Sequence, residues 1–355
     1  MKNILSSILL PIVLVVSLHS CKSKTNSKPI DSIVRDTTSK TDIKGNPIDY
    51  DHTKVIKNVY VINRKGIGAM QQPDVTSPQL LKYQYGDRLD VIEEKNGWLG
   101  IRDRVTRNYK KNGSDWESSG WEKVYIKADA TGDISAIKLL PEDLNVIATY
   151  KKGEEQLSRL TQFLDISLID EADFTSKKLT AIDYIVADTT VITKKNGIIE
   201  LPCGDKIKRY IDKPDAEEQR QEFNYIGNIP FLNKYILSGS YWESADYKLI
   251  DKTTGKEEVS LDDYPYISAD KRFLISISAN GYDQTGDLIL YAITSTKLKL
   301  IISVSFKNWM PAGDEKSFWA NDGCFYLTVS HSKAIEAEGE KEGNKKYQYL
   351  KIKIL

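Results

Sequence analysis

The sequence predicts a mainly β protein: a small barrel, then a helical connector, then an antiparallel β-rich C-terminal domain. Three observations predict it. From Val55 onward, short runs of β-branched and aromatic residues alternate with Gly, Asn-Gly and Gly-Asp turns. Residues 141–170 carry leucines at helical spacing. Beyond about residue 180, strand-length apolar runs recur, and three of them look alike.

The first twenty residues read as a signal. Lys2 gives a positive start, and residues 4–18 form an apolar stretch of roughly fifteen residues, short of the ~20 that a spanning helix needs. Pro11 interrupts it, and the run stops at Leu18-His19-Ser20-Cys21. An aliphatic residue, a small residue and then cysteine resemble a bacterial lipobox; His19 is bulkier than that pattern prefers. The resemblance implies that Cys21 is acylated, becomes the new N-terminus and anchors the chain in a bacterial outer membrane. Several acyl chains together make a stable anchor, where one alone is marginal. Lys22-Ser23-Lys24 lacks the acidic residues that resemble a surface-export tag, which favours the periplasmic face. The alternative is an ordinary secretory signal with an incidental cysteine.

Residues 21–54 are rich in Lys, Ser, Thr, Asp and Asn without a sustained apolar period, and read as a disordered tether. What remains is long enough for two ordinary domains. Its charges balance, 50 basic against 50 acidic, which gives no case for nucleic acid, whose phosphates ask for a basic surface. Beyond Cys21 the cysteines are Cys203 and Cys324, which an oxidising compartment would pair if they meet; two buried free thiols are the other reading. Only His52 and His331 follow the signal, a poor stock for zinc or acid–base chemistry.

Residues 55–132 supply the barrel. Val59-Tyr60-Val61-Ile62 is a first strand, followed by a loop with Pro73 and Pro78. A turn at Tyr85-Gly86-Asp87 precedes the alternating Leu89-Asp90-Val91-Ile92. Asn96-Gly97 is a hairpin signal before Trp98, and Gly120-Trp121-Glu122-Lys123-Val124 closes the set. The order of these pieces resembles the bacterial SH3-like (SH3b) domains of envelope proteins. It covers about a fifth of the chain. Two departures stand out: the Asn-Val-Arg that usually follows the first strand is missing, and an insertion at 104–119 separates the halves of the last hairpin. The resemblance implies a small barrel that binds a peptide or cell-wall fragment.

Residues 133–180 form the connector. Leu157, Leu160, Leu164 and Leu168 fall on one helical face, and Glu154-Glu155 suits a helix start. A second short helix is expected after Pro214, over residues 215–223. In residues 181–355 the like segments begin at Lys234, Arg272 and Cys324, each an aromatic, an aliphatic run and a serine. Their spacings, roughly 40 and 50 residues, resemble those of propeller blades. Ser268-Ala269-Asp270-Lys271-Arg272 resembles the hairpin of such repeats without its proline and glycine. Strands near 182–186, 198–201 and 207–210 offer a further blade. A partial propeller and an irregular antiparallel sheet are equally consistent with the pattern.

No cofactor is expected. Gly66-Ile67-Gly68 lacks the third glycine of a dinucleotide fingerprint, and no phosphate or calcium loop is present. Envelope SH3-like domains often accompany cysteine peptidases, but Cys203 precedes Gly204-Asp205 rather than a helix start. The candidate binding residues are Arg104, Arg107, Tyr109 and Trp116 on the insertion, together with Trp98. Aromatic rings beside cations make a recognition surface at low entropic cost. The alternative is an extended hairpin packing back on the barrel.

The expected function is therefore that of a membrane-anchored, non-enzymatic binding module. Its partners would be the membrane through Cys21 and peptidoglycan or an envelope protein. A hydrolase with an unrecognised C-terminal site, and an inhibitor of a toxin or lysozyme-like enzyme, are the rivals.

Overall fold

Antiparallel strands make up most of the protein. The computed structural model describes residues 45–111, 114–151, 160–313, 316–335 and 346–355, with backbone alone at 109–111 and 150–151. Cys21, the segment 21–44 and Leu157 lie outside the described residues.

The first sheet contains β1 (Lys57–Val61), β2 (Ile67–Met70), β3 (Gln79–Tyr83), β4 (Arg88–Lys95), β5 (Trp98–Lys111), β6 (Ser114–Lys127) and β7 (Thr131–Gly132). Their order is β3-β2-β6-β5-β4-β1-β7. Val61, Ala69, Val91, Ile101, Val124 and Ile126 are fully buried against one another. The first six strands feed this cluster and no second sheet does, so the sheet wraps its own core. Its edge strands β3 and β7 do not pair, and hydrogen bonding does not close a barrel. The Asn96-Gly97 turn has φ of 52° and 75°, the paired positive values of a two-residue hairpin. Residues 104–119 do not interrupt the last hairpin. They lengthen both its arms, with unbroken register from Trp98↔Lys127 to Lys111↔Ser114.

Order also begins earlier than the composition of residues 21–54 suggests. Pro47 bridges Glu122, and the Asn46 carbonyl accepts from Lys123 N. Glu122 binds Arg107 through two hydrogen bonds (2.9 and 2.7 Å) and accepts from Asn46 N at 3.1 Å. This buried carboxylate fixes the start of the folded chain to the hairpin.

The remaining elements are β8 (Ile147–Lys151), β9 (Leu164–Ile169), α1 (Glu171–Lys178), β10 (Ala181–Ile182), β11 (Ile198–Cys203), β12 (Lys206–Ile211) and β13 (Gln221–Ile229). They continue with β14 (Lys234–Tyr241), β15 (Ala245–Asp251), β16 (Glu257–Leu261), β17 (Tyr266–Ile267), β18 (Phe273–Asn280), β19 (Thr285–Thr294) and β20 (Lys297–Phe306). The chain ends with β21 (Trp309–Pro311), β22 (Phe318–Ala320), β23 (Cys324–His331) and β24 (Gln348–Ile354). Four sheets result, ordered β11-β12, β13-β14-β15-β16, β17-β18-β19-β20-β8 and β10-β22-β23-β24-β9, with β21 on β23.

The three like segments are β14, β18 and β23, each an inner strand of a different sheet. Their near-continuous apolar runs follow from burial on both faces. In β18, Ile275 and Ile277 enter the core shared with the β23 sheet, while Leu274 enters the core shared with the β14 sheet. In β14, Ile236 faces one core and Leu237 another. Burial of each such side chain contributes about 1.5–3 kcal/mol. The Ser268–Phe273 turn is held by Ser268 Oγ, which accepts from Phe273 N (2.9 Å) and donates to Asp270 (2.7 Å). Lys271 takes φ of 59°, where such repeats carry glycine.

Three expectations are corrected. The leucine run is not a helix where it is described. Leu160 opens a single 3-10 turn and Leu164 begins β9, which pairs with β24 from Leu164↔Ile354 to Ile169↔Tyr349. Leu164 and Ile166 are buried as alternate strand residues, and this pairing outweighs helix propensity. Among the described residues the one α-helix is α1, capped by the Asp170 side chain on Asp173 N (2.7 Å). After Pro214 only a 3-10 turn, Glu217–Gln219, precedes β13. Finally, β11 and β12 form a two-stranded hairpin against the β14 sheet rather than a further blade, and Ala181–Ile182 joins β22 instead.

Candidate binding furrow at the junction

Residues 45–355 form one compact unit, and the first sheet is docked onto the β23 sheet. The Tyr85-Gly86-Asp87 turn makes the join. The Tyr85 hydroxyl accepts from Lys138 N (2.8 Å) and donates to Lys138 O (3.1 Å). Its ring meets His331 edge-on at 5.4 Å and carries the Arg64 guanidinium at 3.9 Å. Gly86 has φ of 81°, and a Cβ there would lie 2.5 Å from Lys333 Cβ, so glycine permits both the turn and the approach. Tyr60, Ile137 and Ala334 bury a small apolar patch beside it. Gln348 clamps Leu139 from both sides, accepting from its N–H (2.6 Å) and donating to its carbonyl (3.1 Å).

Beside this join lies a cleft of about 750 Å3, within the range of ligand sites. One wall carries Arg64, Gln84, Tyr85 and Asp87; the other carries Lys307, Asn308 and residues 331–333. Asp283 and Gln284 also line it. A second cavity of about 320 Å3 shares the lining residues Asp87, Gln284, Ser332 and Lys333 with it, so the two hollows of this furrow are neighbours. The Lys333 ammonium stands 3.5 Å from Asp87 where they meet.

The chemistry of the furrow is ordered around two buried groups. Asp143 accepts from Arg64 Nη1 (2.8 Å), Leu140 N (2.8 Å) and Asn308 Nδ2 (3.2 Å), so three donors hold its carboxylate in place. His331 ends β23 and is only 5% exposed. Its Nδ1 accepts from Lys333 N at 3.1 Å, which places the proton of the neutral ring on Nε2. Burial lowers its pKa from 6.5 to about 4; Asp143 opposes that shift, and Arg64 and Lys333 add to it. At neutral pH, His331 is thus an uncharged donor. Among the described residues, Nε2 has no hydrogen-bond partner, and neither Lys307 nor Glu142 has an ion-pair partner.

The residues expected to bind are distributed differently. Trp98 is 8% exposed, with the Lys127 ammonium 4.3 Å above its ring. Arg107 is committed to Glu122, which it holds below the usual carboxylate range. Arg104 donates to Ser119 Oγ at 2.9 Å. Trp116 is half exposed and pairs in register with Tyr109, whose side chain lies outside the described residues. By strand alternation Arg107 and Trp116 share one face of the hairpin and Arg104 the other. Trp98 lies at the hairpin's opposite end, so the five do not form one cluster. Cys203 and Cys324 are free thiols in separate clusters, and burial raises both pKa values.

Sequence reading missed Arg64, Asp143, Asn308 and Lys333. The one available signal was the Tyr85-Gly86-Asp87 turn, whose contacts lie on segments far along the chain. Comparisons with protein-family models, with curated proteins and with solved structures return no match.

Proposed function

We propose that this chain is a lipid-anchored binding protein of the bacterial envelope that holds a peptide or cell-wall fragment without transforming it. The observation that carries the reading is the furrow between the first sheet and the β23 sheet. It is lined by polar groups of both signs and formed at the turn that resembles an SH3-like motif. The apolar stretch ending at Cys21 supports the anchor.

The same convergence of polar groups would suit a hydrolase, and the state of His331 argues against that rival. A general base must accept a proton. The Nδ1 of His331 is occupied by a backbone N–H and its Nε2 carries hydrogen, so the ring can donate to a ligand but not deprotonate one. Asp143 is engaged by Arg64, Leu140 N and Asn308.

Purified sacculi test the reading. The full chain in detergent should be retained by sacculi and released by soluble wall fragments. Replacement of Cys21 by serine should move the protein from the membrane fraction to the soluble one. Lack of retention, or membrane association independent of Cys21, would overturn the corresponding half of the proposal.

A further inference from the structure

Resting on that reading, we infer that the furrow recognises a linear peptide by its free carboxylate, which is received at the corner formed by Lys307, Asn308, His331 and Lys333. Four observations converge on this corner. His331 is 5% exposed and lines the cleft, and its Nε2–H, which no described residue accepts, is open to an acceptor on a ligand. Lys307 brings a cation with no ion pair among the described residues. Lys333 is held to Asp87 only at 3.5 Å, long enough for a ligand to compete. The corner is also rigid. Trp309 pairs with His331 in register, Ser332 N donates to Asn308 O at 2.9 Å, and Ser332 Oγ donates to Lys307 O at 2.9 Å.

The rest of the lining sets the class of ligand. Asp87, Glu142, Asp143 and Asp283 also border the cleft, so a polyanion would meet repulsion. A single carboxylate is matched by the donors, and an ammonium elsewhere on the ligand is matched by Glu142. Two neighbouring cavities suit an extended chain better than a compact solute.

The experiment uses the full chain in detergent and soluble muropeptides released from sacculi, either native or with their carboxyl groups amidated. Calorimetric titration should show amidation weakening binding about tenfold or more, the scale of a charge-assisted contact. Lys307→Gln should weaken native muropeptides by a similar factor while leaving the amidated set unchanged, so the preference collapses. Lys307 is exposed, and its variant should melt like the parent. A His331→Gln variant, with a side-chain amide still able to donate, should retain more of the preference than His331→Phe. Equal binding of native and amidated muropeptides would overturn the inference, as would a preference untouched by Lys307→Gln. Sacculi that retain the protein while muropeptides fail to bind would sink this inference and leave the broader function standing. Failure of both would remove the two together.

Discussion

His331 shows how one residue can be legible and still be misread. Its position after an apolar strand was visible in the sequence, and so was the scarcity of histidine. Its burial depends on Tyr85 from a distant segment, and its tautomer on the local turn that aims Lys333 N at Nδ1, and neither is announced by residue type. The consequence is measurable. Its pKa is about 4 in the folded chain against 6.5 for an unperturbed histidine, so between those values the unfolded chain binds more protons. Stability contributed by the neutral ring is therefore complete above pH 6.5 and is lost as pH falls toward 4, by roughly 3 kcal/mol at most. Urea denaturation at pH 7 and at pH 4.5 should show that loss in the parent, and a smaller one in His331→Gln. An equal loss in both would place the acid sensitivity elsewhere.

Among the elements, the β5–β6 hairpin was the most legible and the leucine segment the least. Asn96-Gly97 fixes a two-residue turn by local backbone preference alone, so sequence suffices there. The leucines of 160–168 satisfy a helical and a strand pattern together. The choice is made by β24, which no local signal announces. The hairpin's energetics divide along its length. Val105 is 1% exposed at its base, whereas Trp116 is 50% exposed on the extension. Thermal or urea unfolding should find Trp116→Ala within about 0.5 kcal/mol of the parent. Val105→Ala should cost about 1–3 kcal/mol through the cavity it leaves. A large loss from Trp116→Ala would mean that the extension packs against something in solution.

For the whole molecule, the mainly β class and the three inner strands could be read from the sequence. The order of the sheets, and the capture of β8 and β9 from an earlier segment, could not. Apolar runs report burial on two faces but do not name the neighbour. The furrow belongs to the same illegible part, since it exists only where the first sheet meets the β23 sheet. That join depends on Gly86. A Gly86→Ala variant needs an unfavourable φ and a displaced Lys333 backbone, so it should lose about 1–3 kcal/mol. Because the damage lies at the junction, differential scanning calorimetry should resolve the parent's single transition into two. A single unshifted transition would show that the join contributes little.

The lengthened hairpin has one more effect. Among the described residues, the outer border of β5 beyond Arg102 pairs with no strand, and neither does that of β6 before Trp121. Bare borders of this kind invite neighbouring molecules to zip together. Here one border is cationic in sequence, with Arg104, Arg107, Lys110 and Lys111, and the other carries Asp115 and Glu117. Two copies that bring identical borders together meet like charge, so the ribbon resists annealing of like edge to like edge.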